Sequence, residues 1–158
     1  MALGGGTTLS VAEVVARIEP DRLCLVAFVD ESRKPAVSAV SWVRGRPPDR
    51  VDVVVGWRAR LLRSVSVHPE VVLVTFSPSV LALSGQAYVV DAHVPKMPLL
   101  LARLQIRIEA VRNAMFTGGV LVAGPLVTKA YPPKLAGLDA LVSRYLAEAG
   151  ESVEDSAP

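Results

Sequence analysis

The residues of this chain best suited to bind an anion lie in one short segment, residues 56–64, which reads Gly-Trp-Arg-Ala-Arg-Leu-Leu-Arg-Ser. The segment follows an apolar run that is typical of a strand, and residues 58–67 predict a short helix. Backbone N–H groups at the start of a helix favour an anion. Guanidinium groups bind phosphate through paired hydrogen bonds. A strand end that leads into an arginine-rich helix start therefore indicates a phosphate-binding turn.

We predict that Arg58, Arg60 and Arg63 supply the donors of this turn and that Gly56 allows a ligand to approach the backbone closely. The alternative is a basic helix face that is simply exposed to water. Trp57 is either a wall against which a ring stacks or an interface residue. The segment alone does not decide between these interpretations.

The usual sets of catalytic residues are missing. The two histidines, His68 and His93, have no second metal ligand at a suitable spacing. The single cysteine, Cys24, lies in an apolar run that predicts a buried, unreactive thiol. No nucleophile elbow, Walker loop or dinucleotide fingerprint occurs, and the acidic residues offer no candidate general acid–base pair. If the protein is an enzyme, a bound cofactor must therefore supply its chemistry.

Composition limits the class of protein. The chain has 158 residues, of which 51% are hydrophobic and 20% charged, so it is long and apolar enough to fold around a core. Its 27 valines favour strands. A net charge of +2 with 5% aromatic residues argues against a nucleic-acid-binding surface. The longest uncharged run, residues 71–90, is interrupted by polar residues and predicts two strands, not a membrane span. We expect a cytoplasmic protein without a signal peptide.

Hydrophobic periodicity predicts three helices and seven strands. The predicted helices are residues 10–19, 58–67 and 134–150, the first beginning with a capping box of Ser10 and Glu13 and the last ending at Gly150. The predicted strands are residues 23–29, 36–43, 51–56, 71–77, 81–91, 104–110 and 120–128. We expect residues 36–43 to be packed on both faces, residues 44–50 to form a turn and residues 95–103 a short connection.

These elements predict a mainly β protein, a small barrel or curled sheet with peripheral helices. We expect a flexible leader at residues 1–9, one domain at 10–150 and a frayed acidic tail at 151–158.

The order of these elements and several motifs resemble the pyridoxamine 5′-phosphate oxidase-like, FMN-binding split-barrel family. Residues 23–42 (LCLVAFVDESRKPAVSAVSW) are similar to the opening hairpin of the family, and residues 53–74 (VVVGWRARLLRSVSVHPEVVLV) to its strand, phosphate turn, helix and next strand. The sequence Gly85-Gln86-Ala87 is similar to a Gly-x-Ala strand, and residues 106–115 (IRIEAVRNAM) to a late strand. The likeness covers about residues 23–145.

This resemblance implies a six- to seven-stranded antiparallel split β-barrel with N-terminal, middle and C-terminal helices. It implies a homodimer that holds FMN in a groove at the subunit interface. The flavin would lie near Ser38, Val40 and Ser41. The phosphate would lie at the turn of Gly56, Trp57, Arg58, Ala59, Arg60 and Arg63, with Arg60 as main donor and Arg63 as its partner. A deazaflavin or haem is used by other members of the broader fold.

The chain departs from the family pattern at four positions. Ala59 and Leu61 stand where many relatives have a serine and a lysine, and Ala82 and Ser84 where many have an arginine and a glutamate. Two hypotheses follow. The first is an FMN-dependent two-electron oxidoreductase acting on a small molecule. The second is a non-catalytic split-barrel dimer that has lost FMN and serves as a binding or scaffold protein.

Overall fold

Alternating and continuous apolar runs form seven strands of one antiparallel sheet in the computed structural model, which describes residues 9–154. The strands are β1 (Cys24–Val29), β2 (Pro35–Val40), β3 (Val43–Arg46), β4 (Arg50–Gly56), β5 (Glu70–Thr75), β6 (Leu81–Asp91) and β7 (Leu101–Asn113). The helices are α1 (Val11–Ala16), α2 (Arg60–Val65) and α3 (Leu138–Glu154), with one turn of 3₁₀-helix at Pro133–Leu135. The mainly β fold with peripheral helices is confirmed.

The sheet curls into a split barrel because of how its edges are connected. The strand order is β2-β1-β5-β6-β7-β4-β3, so β2 and β3 lie at opposite edges. Only Ser41 and Trp42 separate the end of β2 from the start of β3. Two residues span roughly 10 Å at most, so the two edges must approach each other at this end. The barrel remains split between these two strands.

Two hydrophobic clusters hold the fold together. The inner cluster fills the curled sheet and includes Val15 of α1, Ile18 just after it, and Leu61 and Val65 of α2. The outer cluster joins Val54 on the other face of β4 to Leu138, Val142 and Leu146 of α3, with Trp42 packed against it. Since α3 covers the outside of β4, this strand is buried on both faces.

The edge of β3 is closed by the segment that contains α1. The N–H of Gly45 donates to the carbonyl of Ile18 at 2.9 Å. A Cβ atom at Gly45 would lie 1.8 Å from the carbonyl oxygen of Val15, so only glycine allows this approach. The edge strand β2 is instead exposed at Pro35, Val37 and Ala39.

Several predicted boundaries are wrong for identifiable reasons. Residues 36–43 do not form one strand packed on both faces, because the chain leaves one edge at Val40 and starts the other at Val43. The predicted turn at 44–50 therefore contains most of β3. The predicted connection at 95–103 overlaps β7, which begins at Leu101.

The predicted strand at 120–128 is wrong as well. No strand follows Asn113 in the described part of the chain, and Val120, Val122 and Leu126 are 81%, 95% and 98% exposed. Pro125 has no N–H to donate to a neighbouring strand, and Gly124 weakens extended structure. The count of seven strands still holds because β3 takes the place of this segment.

The helices differ from prediction mainly at their ends. Ser10 caps α1, its side chain accepting from the N–H of Glu13 at 3.4 Å, but the helix ends at Ala16 and not at residue 19. α2 is shorter than residues 58–67, since Trp57 and Arg58 lie in a turn. α3 continues through Gly150 to Glu154, because glycine weakens a helix by only about 1 kcal/mol. Residues 1–8 and 155–158 of the expected leader and tail lie outside the described residues.

Candidate functional site

A groove opens at the split of the barrel, where the two edges of the sheet approach each other. Its volume is about 300 Å³. The end of β2, the Ser41–Trp42 link, the end of β4, the start of α2 and one distant tyrosine form its walls. The lining residues are Ser38, Ala39, Val40, Ser41, Trp42, Val54, Val55, Gly56, Ala59, Leu61 and Tyr131.

The groove brings together five of the nine residues that the sequence analysis assigned to a cofactor. These are Ser38, Val40, Ser41, Gly56 and Ala59. The other four, Trp57, Arg58, Arg60 and Arg63, do not line it. They follow the groove in the chain, in the turn after β4 and in α2.

Gly56 leaves space between the backbone and the groove. No atom lies within 4 Å of the position that a Cβ would take there. A ligand can therefore approach the peptide backbone at the end of β4 closely.

The arginines of the turn have partners within the chain. Arg60 donates to the carboxylate of Asp30, whose other oxygen accepts from the N–H groups of Ser32 and Lys34 at 2.8 and 2.9 Å. The pKa of Asp30 is lowered, chiefly by the hydrogen bond from Lys34, so it remains a carboxylate. Arg60 therefore neutralises the residue that shapes the β1–β2 hairpin loop.

Arg63 and Arg58 are bound less firmly. The Nε of Arg63 lies 3.2 Å from Glu31, and both side chains are more than half exposed, at 55% and 53%. Arg63 also donates to the carbonyl of Arg58 at 2.9 Å. The guanidinium of Arg58 lies 4.7 Å from the centre of the Trp57 ring, a cation–π contact. Three arginines against two acids leave one net positive charge at this turn.

One carboxylate on α3 fixes two aromatic residues in the groove wall. Oδ1 of Asp139 accepts from Trp42 Nε1 at 2.7 Å, from Tyr131 Oη at 3.0 Å and from Lys129 Nζ at 3.0 Å. Burial would raise the pKa of Asp139, but these hydrogen bonds outweigh it and lower the pKa. Burial, and then the bond to Asp139, raises the pKa of Tyr131, so its phenol stays a donor.

The sequence analysis missed Trp42 and Tyr131 as groove residues. Trp42 directly follows Ser41, and that adjacency is a signal that could have placed it in the groove. Tyr131 gives no local signal, since the contact that places it in the groove wall is its hydrogen bond to Asp139 of α3.

A second polar cluster lies beneath α3, away from the groove. Asp52 is fully buried on β4 and is bound by Arg46 at 2.6 Å, Arg103 at 3.2 Å and Gln105 at 3.0 Å. Arg103 also donates to the hydroxyl of Tyr145 at 2.9 Å. This cluster binds β3, β4 and β7 to α3 and is structural.

Tyr145 belongs to the same cluster. It donates its hydroxyl hydrogen to Asp91 at 2.7 Å. Burial, and then this bond, raises the pKa of Tyr145 to about 12. The phenol is therefore neutral at any pH near 7 and acts as a hydrogen-bond bridge between α3 and the sheet.

The remaining reactive residue types do not form a site among residues 9–149. Burial raises the pKa of the Cys24 thiol to about 11, as expected of an unreactive core cysteine. His68 and His93 lie outside the groove, and no three metal-binding side chains come together in this range. No helix in the described part of the chain is long and apolar enough to cross a membrane.

Comparisons with known proteins identify the fold. No protein-family model and no curated protein matches the sequence. A solved structure from Lactobacillus delbrueckii, provisionally named a pyridoxamine 5′-phosphate oxidase, superimposes with a TM-score of 0.53 at 16% identity. The superposition covers 66% of this chain and 93% of that one. This chain has the pyridoxamine 5′-phosphate oxidase-like split-barrel fold. The predicted resemblance is confirmed at the level of fold.

Other split barrels are similar to the same extent. HupZ of Group A Streptococcus matches with a TM-score of 0.52 at 12% identity, over 71% of this chain and 96% of that one. HutZ of Vibrio cholerae, a protein named for haem storage, matches with a TM-score of 0.50 at 12% identity, over 66% and 95%. At 12–16% identity these similarities show the split-barrel fold alone and do not identify a ligand.

Proposed function

We propose that this split barrel is an FMN-binding flavoprotein and a two-electron oxidoreductase acting on a small molecule. The observation that carries the proposal is the groove at the split. There the strand segment assigned to the flavin, Ser38 to Ser41, meets Gly56 and Ala59 of the turn assigned to the phosphate. These two segments come from different parts of the sequence and line one groove.

The chemistry of the groove suits a flat heteroaromatic ring. Val40, Val54 and Leu61 supply apolar walls, while the hydroxyl groups of Ser38 and Ser41 supply hydrogen bonds for a polar ring edge. FMN, when bound, supplies hydride and two-electron chemistry. The chain binds and orients the ring and keeps water from it, a role that needs no catalytic acid–base pair, and the described residues place none in the groove lining.

The phosphate partners follow from the ion pairs of the turn. Arg58 has no carboxylate partner among the described residues, and the exposed pair of Arg63 with Glu31 is weak enough to exchange for a phosphate. Arg60 is held by a buried aspartate. We therefore propose Arg58 and Arg63 as the phosphate contacts, with Arg60 contributing only its charge from the first residue of α2.

Replacing Gly56 with alanine tests where the ligand lies. The new methyl group meets no protein atom, so the fold is expected to keep its stability, whereas it fills space that the ligand needs. We expect the affinity for FMN to fall about tenfold, as for overpacking of a close contact. Titration of flavin fluorescence measures this.

Gly124→Ala is the matched control, because its Cβ meets only the carbonyl of Phe76, at an ordinary 3.6 Å, and Gly124 lies outside the groove. Equal FMN affinities for wild type and Gly56→Ala would place the ligand elsewhere.

The second candidate function is a non-catalytic split barrel without FMN. Two features favour it. Asp30 and Glu31 already bind two of the three arginines, and Ala59, Leu61, Ala82 and Ser84 stand where many relatives have charged residues or a hydroxyl. A protein that stays colourless after incubation with excess FMN and gel filtration supports this candidate. A yellow protein whose colour bleaches reversibly on reduction supports the oxidoreductase.

Haem fits the groove less well than a flavin. Histidine and tyrosine are side chains that ligate haem iron. No histidine lines the groove, and the hydroxyl of Tyr131, the tyrosine of the described lining, is bound to Asp139. A deazaflavin has the same ring shape and the groove accepts it equally. Titrations with FMN and with a deazaflavin, compared directly, distinguish the two.

We also propose that a second copy of the chain covers the apolar surface beside the turn. Trp57 and Leu100 are exposed neighbours, joined by an N–H···O bond of 3.1 Å, and Tyr88, Val89 and Val90 are exposed at the same end of the sheet. Single exposed apolar residues are ordinary, but several exposed apolar side chains at one end of a sheet favour an interface. Trp42, by contrast, packs within the chain against α3.

Sedimentation tests this interface. We expect the wild-type protein to sediment as a dimer at micromolar concentration and Leu100→Glu to sediment as a monomer, since a charge would be desolvated in the interface. Leu141→Glu, on an exposed position of α3 outside the patch, is the control and should remain a dimer. A monomeric wild-type protein would contradict the proposal.

A further inference from the structure

Residues 114–131, between β7 and the 3₁₀ turn that precedes α3, return to the groove and end there with Tyr131. Three contacts fasten the end of this segment. Lys129 Nζ lies 3.0 Å from Asp21 and 3.0 Å from Asp139, and Tyr131 Oη lies 3.0 Å from Asp139. The earlier part of the segment is highly exposed, so these contacts are what hold Tyr131 in the groove wall.

We propose that Tyr131 is a binding residue of the groove that contacts the ring of the ligand, and that Asp139 positions it. The proposal deepens the proposed function and rests on it, because the ligand in question is the flavin. No family motif leads to Tyr131; the groove lining and the hydrogen bonds of Asp139 do.

The chemistry that Tyr131 offers follows from its hydrogen bond. Its hydroxyl donates to Asp139, so the aromatic ring, not the phenol, is what remains for the ligand. An aromatic ring attracts flat apolar or heteroaromatic surface. It has no charge with which to bind phosphate. Tyr131 therefore discriminates in favour of the flavin ring and is indifferent to the phosphate, in contrast to the arginines of the turn.

Asp139 acts through two aromatic residues at once. Its Oδ1 also accepts from the indole of Trp42, the next wall of the groove, and Lys129 lies 5.7 Å from the centre of the Trp42 ring. Removing the negative charge of Asp139 loosens both walls without removing either ring. Such a change should weaken ring binding less than removal of Tyr131 itself.

The test compares FMN with riboflavin, which has the same ring and no phosphate. We expect Tyr131→Ala to weaken both ligands equally, by about tenfold. Tyr131→Phe keeps the ring and should bind within about threefold of wild type, and Asp139→Asn should fall between the two. Arg58→Ala should weaken FMN and leave riboflavin unchanged.

Two controls separate binding from folding. Phe116→Ala removes an exposed ring of the same segment outside the groove and should bind both ligands normally. Tyr131 is 36% exposed, so Tyr131→Ala should remain folded at the temperature of the titration, which its thermal unfolding curve checks. Rescue of binding by phenylalanine is a result that a purely structural role for the hydroxyl would not give.

The possible outcomes are distinct. A wild-type protein that binds neither flavin overturns the proposed function and this inference with it. A wild-type protein that binds both flavins, with unchanged affinities in Tyr131→Ala, overturns the inference alone. Loss of FMN but not riboflavin binding in Tyr131→Ala also overturns it, since the contact would then be with the phosphate side.

Discussion

Gly85→Ala is expected to destabilise the protein by about 3 kcal/mol or more, because its methyl group has no space. The new Cβ would lie 2.0 Å from the carbonyl oxygen of Arg107, in the neighbouring strand. This oxygen belongs to backbone in the centre of the β6–β7 pair, so no flexible side chain can move aside. Urea-induced unfolding, followed by circular dichroism, measures the change in the free energy of unfolding.

The close approach of the two strands at Gly85 has a structural cause. The pairing of β6 with β7 shifts by one residue between Ser84 and Gly85, so Glu109 is an extra residue in β7. Such a bulge brings the backbones together. Gly124→Ala, whose methyl group is accommodated, should change the free energy of unfolding by less than about 0.5 kcal/mol. A Gly85→Ala protein within about 1 kcal/mol of wild type would contradict the close approach.

Asp52→Asn is expected to have the second large effect, a loss of about 3 kcal/mol of stability. Asp52 is fully buried, and the side chains of Arg46 and Arg103, which it neutralises, are only 16% and 11% exposed. Removing one partner of a buried ion pair leaves the other charge without compensation, which destabilises by about 3–5 kcal/mol. Asparagine keeps the shape and one acceptor oxygen, so the lower end of that range applies.

Asp49→Asn is the matched control for this prediction. Its ion pair with Arg107 is longer, at 4.0 Å, and the arginine side chain is 69% exposed. Exposed pairs contribute about 0–1 kcal/mol, so this variant should unfold almost like wild type. If the two variants unfold alike, the cluster beneath α3 does not stabilise the fold as described.

The two predictions also bear on the groove. The Asp52 cluster attaches α3 through Arg103 and Tyr145, and α3 carries Asp139. Destabilising the cluster should therefore also loosen Trp42 and Tyr131 in the groove wall. Gly85, which the sequence analysis compared with a Gly-x-Ala strand, is explained by the close approach of β6 and β7.

Much of the sheet could be predicted from the sequence because apolar periodicity reports burial directly. Residues 81–91 were predicted exactly as β6, and residues 23–29 and 71–77 differ from β1 and β5 by one or two residues. In the predicted strand 104–110, which lies in β7, the alternating apolar residues Leu104, Ile106 and Ile108 are buried. Ala110 is exposed because the bulge at Glu109 changes the side that it faces.

What could not be predicted depends on partners distant in the chain. Residues 44–46, Arg-Gly-Arg, look like part of a turn, and they belong to β3 because β4 pairs with them and Asp52 binds Arg46. Residues 120–128 look like a strand, but no strand pairs with them in the described part of the chain. Tyr131 and Trp42 meet through Asp139, which is 97 residues from Trp42, and no local pattern signals that contact.

For the groove, the resemblance supplied Ser38, Val40, Ser41, Gly56 and Ala59, which the structure brings together. The ion pairs of Arg60 and Arg63 could not be foreseen, because Asp30 and Glu31 look like ordinary residues of a hairpin loop. These two ion pairs leave Arg58 as the arginine without a carboxylate partner among the described residues, which is why we propose it as a phosphate contact.

The most direct test of the central proposal, a flavin in the groove, uses the two tryptophans of the chain. Trp42 lines the groove and Trp57 lies in the turn beside it, so a flavin bound there should quench tryptophan fluorescence. We expect saturable quenching at one FMN per chain when FMN is titrated into the wild-type protein. Quenching no greater than that of free N-acetyltryptophanamide at the same FMN concentration would contradict the proposal.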